Sequence, residues 1–118
     1  PFDENGILEA VMLYLAPRFM DGFWHSIYAR IDIVTSDSDF IRKCKTVDDY
    51  NRFANADILK PSVEIQSETT ATVSFAAWGY YGLRHWTLRV IKDGKSVRVI
   101  KDGDSIKDLL YYKPRFVV

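Results

Sequence analysis

"WTLRVIKDGKSVRVIKDG", residues 86–103, contains the string RVIKDG twice. Apolar residues stand at Trp86, Leu88 and Val90, and again at Val97 and Val99. A period of two is the mark of strands with one buried face. Asp93-Gly94 reads as a two-residue hairpin turn, because both positions tolerate the positive φ that such turns need. The turn pairs Val90 with Val97 and Leu88 with Val99. The duplicated letters are therefore facing strands of one hairpin, not a functional repeat. The second KDG ends the last strand.

Upstream, "SVEIQS" and "ATVSFAAW" alternate in the same way. A loop at Glu68–Thr70 pairs Ile65 with Val73 and Val63 with Phe75. A turn over Gly79–Gly82 pairs Val73 with Leu88 and Phe75 with Trp86. The three turns put Val63, Ile65, Val73, Phe75, Trp86, Leu88, Val90, Val97 and Val99 on one face, an agreement that strengthens each of them. The expected result is a four-stranded antiparallel meander over residues 62–102. Ser105-x-x-Asp108 resembles a capping box and predicts a short helix over residues 105–112.

The first 58 residues read as mainly helical. Leu8, Val11, Met12, Leu15 and Phe19 form an apolar stripe. Pro17 disfavours helix at Ala16, so a break or kink is expected there. Phe19, Phe23, Ile27 and Ile31 then continue at steps of four. Ser36 or Ser38 can cap a short helix over Phe40 and Ile41, and Thr46 one that carries Val47, Tyr50 and Phe53. Helices against one apolar face of an antiparallel sheet make an α+β fold. With 118 residues, of which 47% are apolar, the chain suits a single domain, 1–118.

Sixteen basic residues balance sixteen acidic ones, which argues against nucleic acid as a partner. Cys44 is the only cysteine, so no internal disulfide and no multi-cysteine metal site can form. The longest apolar window, "ILEAVMLYLA", is interrupted by Glu9 and is too short for a transmembrane segment. The chain begins at Pro1, from which we expect a trimmed start and a removed signal peptide.

The bent N-terminal helices, the segment "SDSDFIRKCKTVDDYNRFANADIL" and the terminal "WTLRVIKDGKSVRVIKDGDSIKDLL" resemble the cystatin-like, nuclear-transport-factor-two-like superfamily. The resemblance is narrowest to small secreted bacterial members of unknown function. These members usually carry tryptophan just after the hairpin turn, where this chain has Ser96-Val97. The resemblance implies a cone of helices on a curved four-stranded sheet, and a periplasmic or secreted protein, with the cytoplasm left open. That superfamily hosts enzymes, transport factors and toxin-immunity proteins alike, so the fold by itself assigns no activity.

Candidate chemistry is sparse. Asp37-x-Asp39 could start a calcium loop, but Ile41 and Arg42 stand where an oxygen ligand and glycine are needed. No metal and no cofactor is expected. His25 and His85 titrate near neutrality, yet neither has a catalytic partner nearby in sequence, and His85 falls opposite Ala76 on the face away from the helices. No catalytic residue is assigned. Cys44 lies between Lys43 and Lys45, which could lower its pKa, but a half-buried structural thiol is the favoured reading.

The less ordinary features lie on the outer sheet face. The expected register sets Arg89 opposite Arg98, an unfavourable like-charge pair unless a carboxylate such as Glu64 intervenes. "WGYYG" holds Trp78, Tyr80 and Tyr81 between glycines. Trp78, Tyr80, Tyr81, His85, Arg89 and Arg98 are therefore the candidate partner-binding residues, because Trp, Tyr and Arg dominate interface hot spots. The alternative for the aromatics is that they close one end of the core. The expected function is a non-enzymatic protein-binding module of the bacterial cell envelope, most concretely an inhibitor or immunity protein that neutralises a toxin or hydrolase. Its partner would carry an acidic or mixed surface, and a homodimer is left open. The alternative is a small-molecule binder or minor enzyme that uses the pocket between helices and sheet.

Overall fold

The computed structural model describes residues 2–19 and 31–112. Helix α1 (Glu4–Phe19) comes first, followed by β1 (Asp32–Ile33), α2 (Asp37–Ile41) and α3 (Val47–Phe53). A 3-10 turn (Asp57–Leu59) precedes β2 (Ser62–Ile65), β3 (Thr70–Gly79), β4 (Gly82–Asp93), β5 (Ser96–Ile100) and β6 (Ile106–Tyr111). The protein is α+β: the helices accompany a curled antiparallel sheet that forms a half-barrel. Among the described residues no helix is long and apolar enough to cross a membrane.

The sheet is organised around one long hairpin. β3 and β4 pair from Thr70↔Ile91 to Gly79↔Gly82. The outer edge of β3 is shared by β2 and β1, and that of β4 by β5 and β6. The meander β2–β3–β4–β5 is the one the alternation predicts, and β1 and β6 extend it.

The expected pairings of Val73 with Leu88 and Phe75 with Trp86 are observed. The two outer hairpins slip by two residues. Val63 faces Val73 instead of Phe75, and Val90 faces Val99 instead of Val97. A slip of two keeps every side chain on its face. Its cause in the second hairpin is turn chemistry. Of Asp93 and Gly94 only Gly94 takes positive φ, +64°, so the loop is Gly94-Lys95, closed by Asp93↔Ser96. Glycine at the first of two loop positions is the type II′ pattern.

α1 packs Ile7, Val11 and Leu15 against Val73, Phe75, Trp86, Leu88 and Val90. These helical residues recur at steps of four, so one stripe meets the sheet. Phe75 and Trp86 stack at 5.9 Å. Leu8 and Met12, expected in the stripe, lie beside it and are exposed. The expected break at Pro17 is absent: α1 continues to Phe19. Pro17 falls in the last turn: it removes the one N–H that would donate to the Leu13 carbonyl, and only Arg18 and Phe19 follow it in the helix. The second helix expected after it lies largely outside the described residues.

The opposite sheet face is only partly polar, contrary to the single apolar face expected. At one end it carries a second core of Ala76, Trp78, Leu83 and Leu110, closed by Val34, Phe40 and Leu59. The two short helices there are capped as expected. Ser36 Oγ accepts from the Asp39 N–H, and Thr46 Oγ1 from the Asp49 N–H.

Residues 105–112 correct the sequence reading. They hold a strand, not a helix, and Ser105 caps nothing. Its N–H donates to the Asp102 carbonyl and its carbonyl accepts from Thr87, which feeds β6 onto the edge of β4 that β5 leaves vacant. A register shift between Leu83 and Arg84 then turns the strand over. Ile106 packs on the first core and Leu110 on the second.

Candidate functional site

The β3–β4 turn and the end of β6 meet at one end of the sheet. Tyr80 and Tyr81 are the two loop residues between Gly79 and Gly82. Neither tyrosine has positive φ; Gly82 takes it instead, at +122°. A Cβ on Gly82 would stand 2.1 Å from the Leu110 carbonyl oxygen, so only glycine lets β6 approach this closely. The Tyr112 N–H donates to the Tyr81 carbonyl at 2.7 Å, locking turn to strand. The approach sets Tyr81 on Tyr111, rings stacked at 6.1 Å and 5° apart. Tyr80 meets Tyr81 edge-on at 5.0 Å. Tyr81 is 42% exposed and Tyr111 60%. Tyr111 was missed in the sequence because residues 105–112 read as helix, and no local signal marks it as a neighbour of Tyr81.

Trp78 does not belong to this tip. It is 3% exposed and lies in the second core, stacked on Phe40 at 6.1 Å and on Tyr112 at 5.8 Å. The alternative weighed for it, closure of the core, is the one observed. Its Nε1 is buried and has no hydrogen-bond partner among the described residues. Tyr112 ties the helical layer down: its hydroxyl donates to Asp49 at 2.7 Å and accepts from the Lys45 N–H at 3.2 Å. Burial, with the Asp49 hydrogen bond behind it, pushes the Tyr112 phenol up to about 12. Tyr50 joins the two short helices to each other, donating to Asp37 at 3.1 Å.

The expected Arg89–Arg98 pair does not exist. The moved turn sets Arg89 opposite Ile100 and Arg98 opposite Ile91. Arg89 instead grips Asp102 with two hydrogen bonds, 2.7 and 3.1 Å, at the corner where the chain leaves β5 for β6. That bond holds the Asp102 carboxyl below its usual value. The carboxylates that answer the arginines are thus Asp102 and Asp93, the latter 3.9 Å from Arg98, and not Glu64.

His85 lies opposite Ala76, as expected, and across from Lys107 on β6. Burial first, then Lys107, lowers its pKa. His25 lies outside the described residues. The Cys44 thiol donates to the Phe40 carbonyl at 3.3 Å, and burial with Asp49 and Asp37 raises its pKa, opposite to what flanking lysines would do. Asp39 accepts both the Thr35 hydroxyl, at 2.7 Å, and the Thr35 N–H, at 3.1 Å, and these bonds lower its pKa. Among the described residues no group of three His, Cys, Asp or Glu could hold a metal ion.

A cleft of about 220 Å3 lies between α1 and the sheet, lined by Leu8, Val11, Met12, Ile33, Val63, Val73 and Phe75. Glu4, Thr35 and Ser62 are its hydrogen-bonding side chains. It is smaller than the 300–1,000 Å3 usual, roughly, for a small-molecule site. His85, on the other sheet face, does not line it.

No protein-family model, no curated protein and no solved structure matches the chain.

Proposed function

We propose that this protein is a non-enzymatic protein-binding module that meets its partner through the tyrosine tip. The observation that carries the reading is the exposed Tyr81–Tyr111 stack, with Tyr80 edge-on, on a turn held by Gly82. Tyrosine brings a large, half-polar contact area with only two rotatable side-chain bonds, so little entropy is lost when a partner covers it. Here the rings already hold one another, which lowers that cost further. Among the described residues the scattered positions of His85, Cys44 and the carboxylates assemble no nucleophile and base, and the cleft lined by Leu8, Met12 and Phe75 is small, which weighs against the reading as a small-molecule binder or enzyme. Trp78 contributes from below, as a support for Tyr112, the residue next to Tyr111. The cell-envelope setting and the role of inhibitor or immunity protein rest on the superfamily resemblance.

The test is site-specific photo-crosslinking in the source cell. A photoreactive residue is placed at Tyr81, at Tyr111 and, as a control, at Glu68 on the far loop. The expected result is one discrete protein adduct at the two tip positions and none at the control. Adducts at none of the three, with a small apolar compound co-purifying in the cleft, would overturn the reading in favour of the ligand-binding alternative.

A further inference from the structure

The second surface of interest lies at the other end of β4. β5 ends the sheet: its inner edge pairs with β4, and its outer edge has no strand neighbour among the described residues. Beside it runs an open groove of about 460 Å3 between β5 and α1. Its helix wall sets the small Gly6 and Ala10, one helical turn apart, beside Glu9, Leu13 and Tyr14. Val97 and Val99 line the strand side, and Leu13 the far end. Leu13 is 69% exposed and Val97 42%, much for large aliphatic side chains.

We propose that β5 is an acceptor edge, to which an extended, acidic segment of a partner protein adds as a further strand. The inference rests on the protein-binding reading and names the mode and chemistry of a second contact. An edge strand beside a helix with a partly apolar groove between them suits strand addition: the main chain supplies hydrogen bonds, and alternate side chains enter the groove. Val97 and Val99 set that alternation, so the partner places apolar residues across from them. Charge decides the rest: Glu9 lines the helix side of the groove, where the partner's apolar residues fall, and the strand itself is basic. Residues 95–101, "KSVRVIK", carry Lys95, Arg98 and Lys101 and no acidic residue. Among the described residues Arg98 keeps only a loose contact, 3.9 Å, with an exposed Asp93, so its guanidinium has donors to offer a carboxylate. A second copy of this chain is a poor occupant. Antiparallel pairing over the whole of β5 is centred on Arg98, which would face its own counterpart, and the two lysines would add to the repulsion. The same basic charges protect the edge against indiscriminate pairing, a common device on edge strands. An acidic segment passes that filter.

The test uses the full chain and a synthetic peptide, acetylated and amidated, of sequence Ser-Glu-Val-Glu-Val-Glu-Ser. The peptide is palindromic, so it presents the same pattern in either strand direction. Its control has lysine for each glutamate. The expected result is saturable NMR shifts and slowed hydrogen exchange at the Ser96–Ile100 amides with the glutamate peptide only. Arg98→Glu should weaken that peptide about tenfold and admit the lysine peptide, a swap that loss of folding cannot mimic. Ala10→Trp, which fills the groove, should abolish binding of either peptide with the β5 resonances still dispersed. No saturable shift at β5, or equal binding of both peptides, or an Arg98→Glu chain that keeps the original preference, would overturn the inference. None of these results bears on crosslinking at Tyr81 and Tyr111, so the two proposals fail separately.

Discussion

Trp78 and Tyr81 are three residues apart in "WGYYG", and the structure gives them opposite roles, which thermal melts of their alanine variants can separate. Trp78 is 3% exposed, between Phe40 and Tyr112. Truncating a buried tryptophan to alanine costs about 3–5 kcal/mol, as lost transfer energy and a cavity. Trp78 Nε1 has no partner among the described residues, so truncation also removes a buried donor, which returns about 1 kcal/mol. The net loss is about 2–4 kcal/mol, or, at about 4 °C per kcal/mol for a domain of this size, a fall of about 8–16 °C. Tyr81 is 42% exposed and gives up mainly its ring contacts, about 0.5–1.5 kcal/mol, or about 2–6 °C. Trp78→Phe keeps an aromatic ring in the stack and deletes the orphan N–H, so it should fall well short of Trp78→Ala. Calorimetry on the three variants is the assay. Equal falls for Trp78→Ala and Tyr81→Ala, or a loss for Trp78→Ala as small as that for Trp78→Phe, would refute the division between core and tip.

Gly82→Ala should cost about 2–4 kcal/mol, because its Cβ has no room at 2.1 Å from a backbone oxygen and φ is +122°. Hydrogen exchange should show β6 losing protection while β3 keeps it. Tyr112→Phe should cost about 1 kcal/mol and abolish an alkaline transition. The folded protein holds the Tyr112 proton to about pH 12, whereas the unfolded chain releases it near 10.0, so stability falls with rising pH between those values. A set of chemical denaturations across that range reads the slope, which the variant should lack. His85 has the reverse sense. Its folded pKa lies below the ordinary 6.5, so the unfolded chain binds the proton first and stability declines as pH drops through 6.5. An NMR titration should place the His85 midpoint below 6.5, and a midpoint above it would mean that burial and Lys107 do not set its environment.

The sequence by itself determined the parts of this protein that depend on local periodicity. Alternation from Val63 to Val99 decided which residues face α1, and a register slip of two in the outer hairpins did no harm, because the side-chain period is also two. Thr46 announced its cap, and the first short helix narrowed its own to Ser36 or Ser38, of which Ser36 is the one used, since a cap involves residues only three apart. The tertiary structure alone decided the C-terminal strand, the second core and the tip. "SIKDLLYY" suits a helix as well as a strand, and nothing within it records that β5 ends at Ile100, opposite Arg89, and leaves an edge of β4 open. Arg89 illustrates the same limit. Its partner was to be Arg98 or Glu64, but one residue of movement in a turn and a corner thirteen residues away put Asp102 there instead. Tyr111 reaches Tyr81 only because β6 returns to Gly82, a contact between residues thirty apart in the chain. Pairings that close long loops are selected by what the rest of the fold leaves unsatisfied, here a free strand edge and uncovered apolar surface at Trp78 and Leu83, and a reading of neighbours along the chain does not contain that information.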